Sequence, residues 1–293
     1  MASALSLRDV RKTWRRQVAL DGLSFEVPTG SICGLVGPNG AGKTTTMAVA
    51  CGFVPPDDGT VDVLGAGPFE PERHRGRVGV LPQDAELPPA STPRQLLRLW
   101  GRLQGLGASE LSGAVDRALD DVDLRGRADA AVGTLSHGMR RRLTVASALL
   151  GDPELVLLDE PTSGLDPLQA FQLRERIAAE RGRRTVLVSS HNLLELEALC
   201  DHVIFMDAGR CLRAGSMSRL TGRDREIRIR LEAPFPEGRA EWVVLGLEPG
   251  DTGGLGRATT ALLSTLIAEG AVIAEVRRGD SLERRFLVDA GVA

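Results

Sequence analysis

Residues 37–44 read Gly37-Pro38-Asn39-Gly40-Ala41-Gly42-Lys43-Thr44, the spacing G-x-x-x-x-G-K-[ST], directly between an apolar β-branched run and a helical pattern. No other stretch limits the fold as much, because such a loop needs a buried strand on one side and a helix N-terminus on the other. The glycines let the backbone curl until successive N–H groups point inward at phosphate oxygens, and the helix end adds favourable dipole charge. Lys43 supplies a point charge for the outer phosphates, and the Thr44 hydroxyl suits Mg²⁺. Gly37, Pro38, Asn39, Gly40, Ala41, Gly42, Lys43, Thr44 and Thr45 are therefore the candidate phosphate-binding residues.

Around that loop, strand-like and helical segments alternate, as in α/β folds with crossover helices. Residues 31–36, 155–158 and 185–189 are continuous apolar strands suited to a parallel sheet covered on both faces. Val203-Ile204-Phe205-Met206 is a fourth strand, closed by the turn signal Asp207-Ala208-Gly209. Residues 4–27 alternate and contain Leu20-Asp21-Gly22, read as the turn of an antiparallel β region. From about Gln83 to Leu135 the pattern is helical, with Thr92 as N-cap, Pro93 at the first helical position and Gln95 completing a capping box. Beyond Thr221-Gly222-Arg223 the chain restarts as an alternating strand at 226–231. A strand near 242–247, a helix near 258–269, a strand near 272–276 and a short helix from Ser281 follow. We expect a main domain at 1–221, with a helical insertion at about 84–150, and an accessory domain at 222–293, near the lower size limit for independent folding.

Composition narrows the class. With 293 residues, 42% hydrophobic and 26% charged, the chain is not a disordered polymer, a collagen or a disulfide scaffold. Thirty-six basic against 39 acidic residues leave a net charge of -3, which gives no reason to expect a nucleic-acid partner. There is no run of about 18 uncharged apolar residues, and Arg8, Asp9 and Arg11 interrupt the N-terminal stretch before it could act as a signal peptide. Cys33, Cys51, Cys200 and Cys211 are far apart, without paired ligand spacing, and read as buried reduced thiols. His74 and His202 have no functional context. Arg140-Arg141-Arg142, on a helix, point in three directions and read as a solvated face.

The strand at 155–158 ends in Asp159-Glu160, two carboxylates at the end of a parallel strand where open α/β sheets bind ligands. Asp159 would hold Mg²⁺ through water, and Glu160 would accept a proton from an attacking water. Leu135-Ser136-His137-Gly138-Met139 lies about 20 residues earlier. This order resembles the ATP-binding subunits of ABC transporters, whose LSGGQ signature precedes the acidic strand. Within that resemblance Gln83 of Leu81-Pro82-Gln83 matches the Q-loop glutamine and Ser163-Gly164-Leu165-Asp166 the D-loop. His191 of Ser189-Ser190-His191 matches the switch histidine, and Trp14 stands where the family stacks an aromatic on adenine. His137 replaces the first signature glycine and Met139 the glutamine. Ser136 and Gly138 remain, the two positions suited to a γ-phosphate contact at a helix start.

The resemblance implies an α/β fold: a P-loop NTPase core with a parallel sheet, an antiparallel β subdomain, a helical insertion and a small α+β C-terminal extension. It implies ATP and Mg²⁺, with Glu160, His191, Gln83 and Lys43 catalytic. Trp14, the loop from Gly37 to Thr45, Ser136, Gly138 and Asp166 would bind nucleotide, and Thr44, Gln83 and Asp159 the metal. It further implies a head-to-tail ATPase dimer, homo- or heteromeric, docked through its helical insertion on membrane-spanning permease subunits, peripheral to the cytoplasmic face of the membrane. The tail, with Ser281-Leu282-Glu283-Arg284-Arg285-Phe286-Leu287, resembles the extension of the drug and antibiotic exporter branch. The expected task is thus ATP-driven export of a drug, antibiotic, lipid or polysaccharide-like substrate. An importer subunit and a soluble non-transport ABC ATPase are the rivals. A single phosphate loop and the lack of sustained heptads count against the soluble one.

Overall fold

The computed structural model describes residues 2–222, 226–231, 242–246, 255–268 and 271–289. Arg223, Leu247 and Glu269, at the edges of elements expected from sequence, lie outside the described residues. The chain divides into two compact units, Met1–Ala214 and Gly215–Ala293.

In chain order the first stretch runs β1 (Ser3–Trp14), β2 (Gln17–Pro28), β3 (Ile32–Val36), α1 (Lys43–Ala50), β4 (Asp58–Val63) and β5 (Val78–Leu81). It continues with α2 (Pro93–Gln104), α3 (Ala108–Asp121), α4 (His137–Leu149), β6 (Leu155–Asp159) and α5 (Pro167–Ala178). Then come β7 (Thr185–Ser190), α6 (Leu193–Leu199), β8 (His202–Asp207) and β9 (Arg210–Ser216).

The alternating segment at the start forms an antiparallel sheet of order β2-β1-β4. Its turn is Arg15-Arg16, between the paired Trp14 and Gln17, and not Leu20-Asp21-Gly22. The Asp-Gly pair sits inside β2, where the register shifts, with Gly22 at φ 70°. There it makes a bulge. The Asp21 carboxylate is fixed by Arg11 and Arg210, and the Asp21 N–H donates to Gly209 O. Tertiary partners thus took a local turn signal for another use.

The apolar strands form a sheet of order β5-β6-β7-β3-β8-β9, in which β5, β6, β7, β3 and β8 are parallel. Every residue of β3, β6 and β7 is buried, as continuous hydrophobicity demands of strands covered on both faces. Strands β4, β5 and β9 carry no such signal and are found only in the structure. Parallel order brings the carboxyl ends of β5, β6, β7 and β3 to one rim, and the loops that follow them converge there. Leu35, Met47, Leu155 and Leu157 share one core with Leu5, Leu7 and Leu20 of the antiparallel sheet. That packing locks the first sheet against the base of the phosphate loop.

The helical insertion has its own core, in which Leu96, Leu97, Leu111, Val115, Leu119 and Leu143 join α2, α3 and α4. Each buried leucine there contributes roughly 1.5–3 kcal/mol. α2 begins as read: the Thr92 hydroxyl accepts the Gln95 N–H, the Gln95 side chain accepts the Thr92 N–H, and Pro93 fills the first turn. α4 also packs on β5 and β6 and so belongs to both the insertion and the sheet.

In the second unit, α7 (Met217–Thr221), β10 (Glu226–Leu231), β11 (Trp242–Gly246), α8 (Leu255–Ala268), β12 (Ile273–Arg278) and α9 (Leu282–Asp289) follow. An antiparallel sheet of order β11-β10-β12 buries Ile227, Ile229 and Leu231 against Leu266 of α8.

Candidate functional site

The loop between β3 and α1 is shaped by what surrounds it. A Cβ on Gly37 would meet Met206 O at 2.4 Å, and Gly42 holds φ 99° with Ala19 O 2.6 Å from where its Cβ would stand. A side chain at Gly37 would push the loop off β8, and one at Gly42 would push it off β2. Pro38, Asn39 and Gly40 form its exposed crest, while Lys43 is buried beneath. The Lys43 ammonium donates to Gly37 O at 2.7 Å and Pro38 O at 3.2 Å, so it curls under the loop it is meant to serve. Burial pulls its pKa below the usual lysine value, and nearby Glu160 and Asp159 push the other way.

Three strand ends supply the facing polar groups. After β5, Gln83 Oε1 accepts a hydrogen bond from the Thr44 hydroxyl at 3.1 Å. At the end of β6, Asp159 is 2% and Glu160 8% exposed. The Ser189 hydroxyl at the end of β7 donates to Asp159 Oδ1 and accepts the Glu160 N–H at 2.9 Å. His191 Nδ1 lies 3.0 and 3.1 Å from the two Glu160 carboxylate oxygens. Glu160 has φ 49°, a left-handed conformation that costs a non-glycine residue roughly 1–3 kcal/mol and is tolerated where the surroundings impose it. Beside the loop, Trp14 is half exposed, with its Nε1 3.4 Å from Thr45 Oγ1 and the Lys12 ammonium 5.7 Å from its ring centroid. Thus Trp14, Lys43, Thr44, Thr45, Gln83, Asp159, Glu160 and His191 meet one another or the loop.

Ser136, Gly138 and Asp166 are not drawn into that constellation. Ser136 and Asp166 are exposed N-caps, accepting the N–H groups of Met139 at 3.2 Å and Gln169 at 2.9 Å. Gly138 is buried, with the Gln169 side chain against its α-carbon, and the His137 ring lies against Gly164.

The arginine run departs from its reading as a solvated face. Arg141 is buried and donates to the carbonyls of Asp159, Glu160, Pro161 and Gln83, while Arg142 donates to Val122 O and Arg140 to Leu135 O. The helix points them in different directions as expected, but α4 is wrapped by protein on most sides, so each finds backbone acceptors. Arg141 and Ser189 are the site residues that sequence reasoning missed. Three consecutive arginines do not reveal which one turns inward, and the spacing of Ser189 gave it no partner.

His74 is buried against Glu70 and Val63 O, in a structural setting. All four cysteines are unpaired; Cys33, Cys51 and Cys200 are buried as expected and Cys211 is only partly so, and burial pushes each thiol up, Cys51 to about 11. Among the described residues no helix is long and apolar enough to cross a membrane.

A family model described as ABC transporter matches residues 20–163. The Nod factor export ATP-binding protein I of Cupriavidus metallidurans is 42% identical over 222 residues, 75% of this chain and 73% of that protein. Its namesake in Ralstonia nicotianae is 42% identical over 218 residues, 74% of this chain and 68% of that protein. A solved ATP-binding subunit of an ABC transporter superposes with a TM-score of 0.68 at 28% identity, covering 75% of this chain and 93% of that one. A dimeric ATP-binding cassette solved with ADP and Pi shares the fold, with a TM-score of 0.67 at 21% identity over 73% of this chain and 98% of that one. A phosphate loop built on β3 and α1, an acidic pair ending β6 and relatives of this similarity agree: the chain belongs to the ABC transporter family as an ATP-binding, ATP-hydrolysing subunit of the P-loop NTPase fold.

Proposed function

We propose that this ATPase subunit powers export of a drug, antibiotic, lipid or polysaccharide-like substrate through separate membrane-spanning subunits. The names of the relatives, Nod factor export proteins, support the direction of transport. The observation that carries the catalytic reading is the contact of His191 with Glu160, at a strand end beside the buried Lys43.

ATP lies with its phosphates on the loop N–H groups from Gly37 to Thr45, its adenine against Trp14, and Lys43 exchanging loop carbonyls for phosphate oxygens. Water attacks the γ-phosphorus as Glu160 takes its proton. The new P–O bond forms while the bond to the β,γ-bridging oxygen breaks, and ADP and phosphate leave. His191 holds the Glu160 carboxylate on line. Thr44, Gln83 and Asp159 are all oxygen donors, the hard set that Mg²⁺ prefers, and the Thr44–Gln83 contact already draws two of them together. A magnesium ion there would neutralise phosphate charge.

The exposed Ser136 and Asp166, with Gly138 behind them in the first turn of α4, meet the nucleotide of a second copy, giving a head-to-tail dimer with two composite sites. The nucleotide-binding domain is 1–221, and 222–293 is an accessory domain. The permease docks on the helical insertion, where Leu99 and Leu103 of α2, one turn apart, are 52% and 63% exposed. A subunit docked in this way and supplied with ATP sits at the cytoplasmic face of the membrane.

Glu160→Gln tests the core of this reading, since it keeps shape and hydrogen-bonding reach without basicity. ATP binding by equilibrium titration should persist while turnover falls at least ~10²-fold, the usual scale for an acid–base group. Undiminished turnover overturns Glu160 as the base.

A further inference from the structure

Arg141 lies one turn and a half along α4 from the Ser136 cap, yet its guanidinium reaches the opposite end of the chemistry. Nη2 donates to Asp159 O at 2.8 Å and Glu160 O at 2.6 Å, Nε to Pro161 O at 3.1 Å and Nη1 to Gln83 O at 3.2 Å. All four acceptors are main-chain carbonyls. A buried guanidinium beside two carboxylates would ordinarily take them in a forked ion pair. Among the described residues Arg141 forms no such pair, which leaves the carboxylates for His191, Ser189 and ligand. Its charge is near Glu160, but its donors are spent on the Glu160 backbone.

That backbone needs holding. Glu160 sits at φ 49°, its N–H given to Ser189 Oγ and its carbonyl to Arg141, so both flanking peptides are gripped. The same planar group grips Gln83 O, while the Gln83 side chain meets Thr44. A single rigid fork thus fixes the spacing between the Gln83 segment and the end of β6. Lysine could not do this, because one ammonium on a flexible stem does not span four carbonyls in a plane.

We propose that Arg141 is a positioning residue for hydrolysis, holding the Glu160 main chain in its left-handed conformation and at fixed spacing from Gln83, so that the carboxylate meets the attacking water. The proposal rests on the reading of Glu160 as general base.

The test uses the full chain and four variants: Arg141→Ala, Arg141→Lys, Glu160→Gln and the double variant Arg141→Ala with Glu160→Gln. ATP affinity is read by equilibrium titration, folded fraction by thermal unfolding, and kcat and KM per folded molecule. Arg141→Ala should lower kcat roughly 10²-fold and Arg141→Lys about tenfold, with ATP affinity changed by less than about threefold. In the Glu160→Gln background the alanine change should cost no further turnover beyond about threefold, because both act through one group. Arg141 also lines an open cavity of about 470 Å³ with Gln83, His137 and Thr144, so added guanidinium ion should restore part of the kcat of Arg141→Ala. If Arg141→Ala does not fold, Arg141→Lys alone and on Glu160→Gln carries the same cycle. Unchanged kcat per folded molecule in the arginine variants overturns the proposal while leaving the Glu160 reading intact. So do losses that multiply in the double variant, which would make Arg141 a structural tie. Undiminished turnover in Glu160→Gln alone overturns the base assignment and the proposal with it.

Discussion

The two halves of the proposed nucleotide site spend their polar groups differently. On the phosphate side, Thr44 is paired with Gln83, Glu160 with His191, Asp159 with Ser189 and Lys43 with the loop carbonyls. On the signature side, Ser136 and Asp166 merely cap their own helices and face outward. The first half is organised by contacts within one chain. The second offers a helix N-terminus and a hydroxyl for which the described residues supply no ligand-side partner, as suits a surface completed by another copy. The contrast ranks the positions: changes on the phosphate side should strike binding and chemistry, and changes on the signature side should strike assembly.

The largest effect belongs to Lys43. Lys43→Ala removes a buried cation whose charged hydrogen bonds are worth about 1.5–3 kcal/mol each, so ATP affinity in an equilibrium titration should fall by at least ~10²-fold. Retained affinity would erase the distinction between the halves. Next comes the composite site. With ATP and Mg²⁺, Glu160→Gln should run as a dimer on size exclusion, and adding Ser136→Arg should return it to monomer with ATP still bound, since bulk and charge enter the facing contact. A persistent dimer would mean that the outward helix end is not where the copies meet. Trp14→Ala should weaken ATP by about 1–3 kcal/mol if the ring stacks on the base, measured by the same titration. An unchanged dissociation constant would leave Trp14 as a packing residue beside Thr45.

The smallest effect lies next to Trp14, at Asp57. The hydrogen bond from Lys12 and then the Thr13 N–H hold its carboxyl below the usual 3.8. The unfolded chain therefore binds this proton more readily than the folded one. The stabilisation is complete above the ordinary value and is lost as pH falls through the depressed one. Asp57→Asn should be slightly less stable than wild type to denaturant at neutral pH, with the gap closing in acid. A gap that is independent of pH would assign the effect to packing, not charge. Because Asp57 is outside the phosphate constellation, ATP affinity should barely change.

Much of this was legible because the signals were local. The phosphate loop, the Thr92 capping box and the buried runs of β3, β6 and β7 depend on residues within a few positions of one another, and each formed where the spacing put it. Strands β4, β5 and β9 were not legible. Short edge or half-exposed strands draw their order from a neighbour, and their sequences hold little alternation or apolar length. The Asp21-Gly22 signal was read as a turn because local chemistry allows one. The choice of a bulge came from Arg11, Arg210 and Gly209, the last two nearly two hundred residues away in sequence.

By itself the sequence determined a phosphate-binding loop between a strand and a helix, an acidic pair ending another strand, and the order of motifs that marks the family. Those are properties of residue type and spacing, and backbone geometry over a few residues follows from them. Only the tertiary structure decided which polar groups hold one another. It turned Arg141 inward onto four carbonyls, set His191 against Glu160 and joined Gln83 to Thr44 across 39 residues. The physical reason is that a donor's partner is fixed by which strand ends the parallel sheet brings to one rim, and by which side of α4 the sheet covers. That outcome depends on the packing of the whole chain, and no window of neighbouring residues contains it.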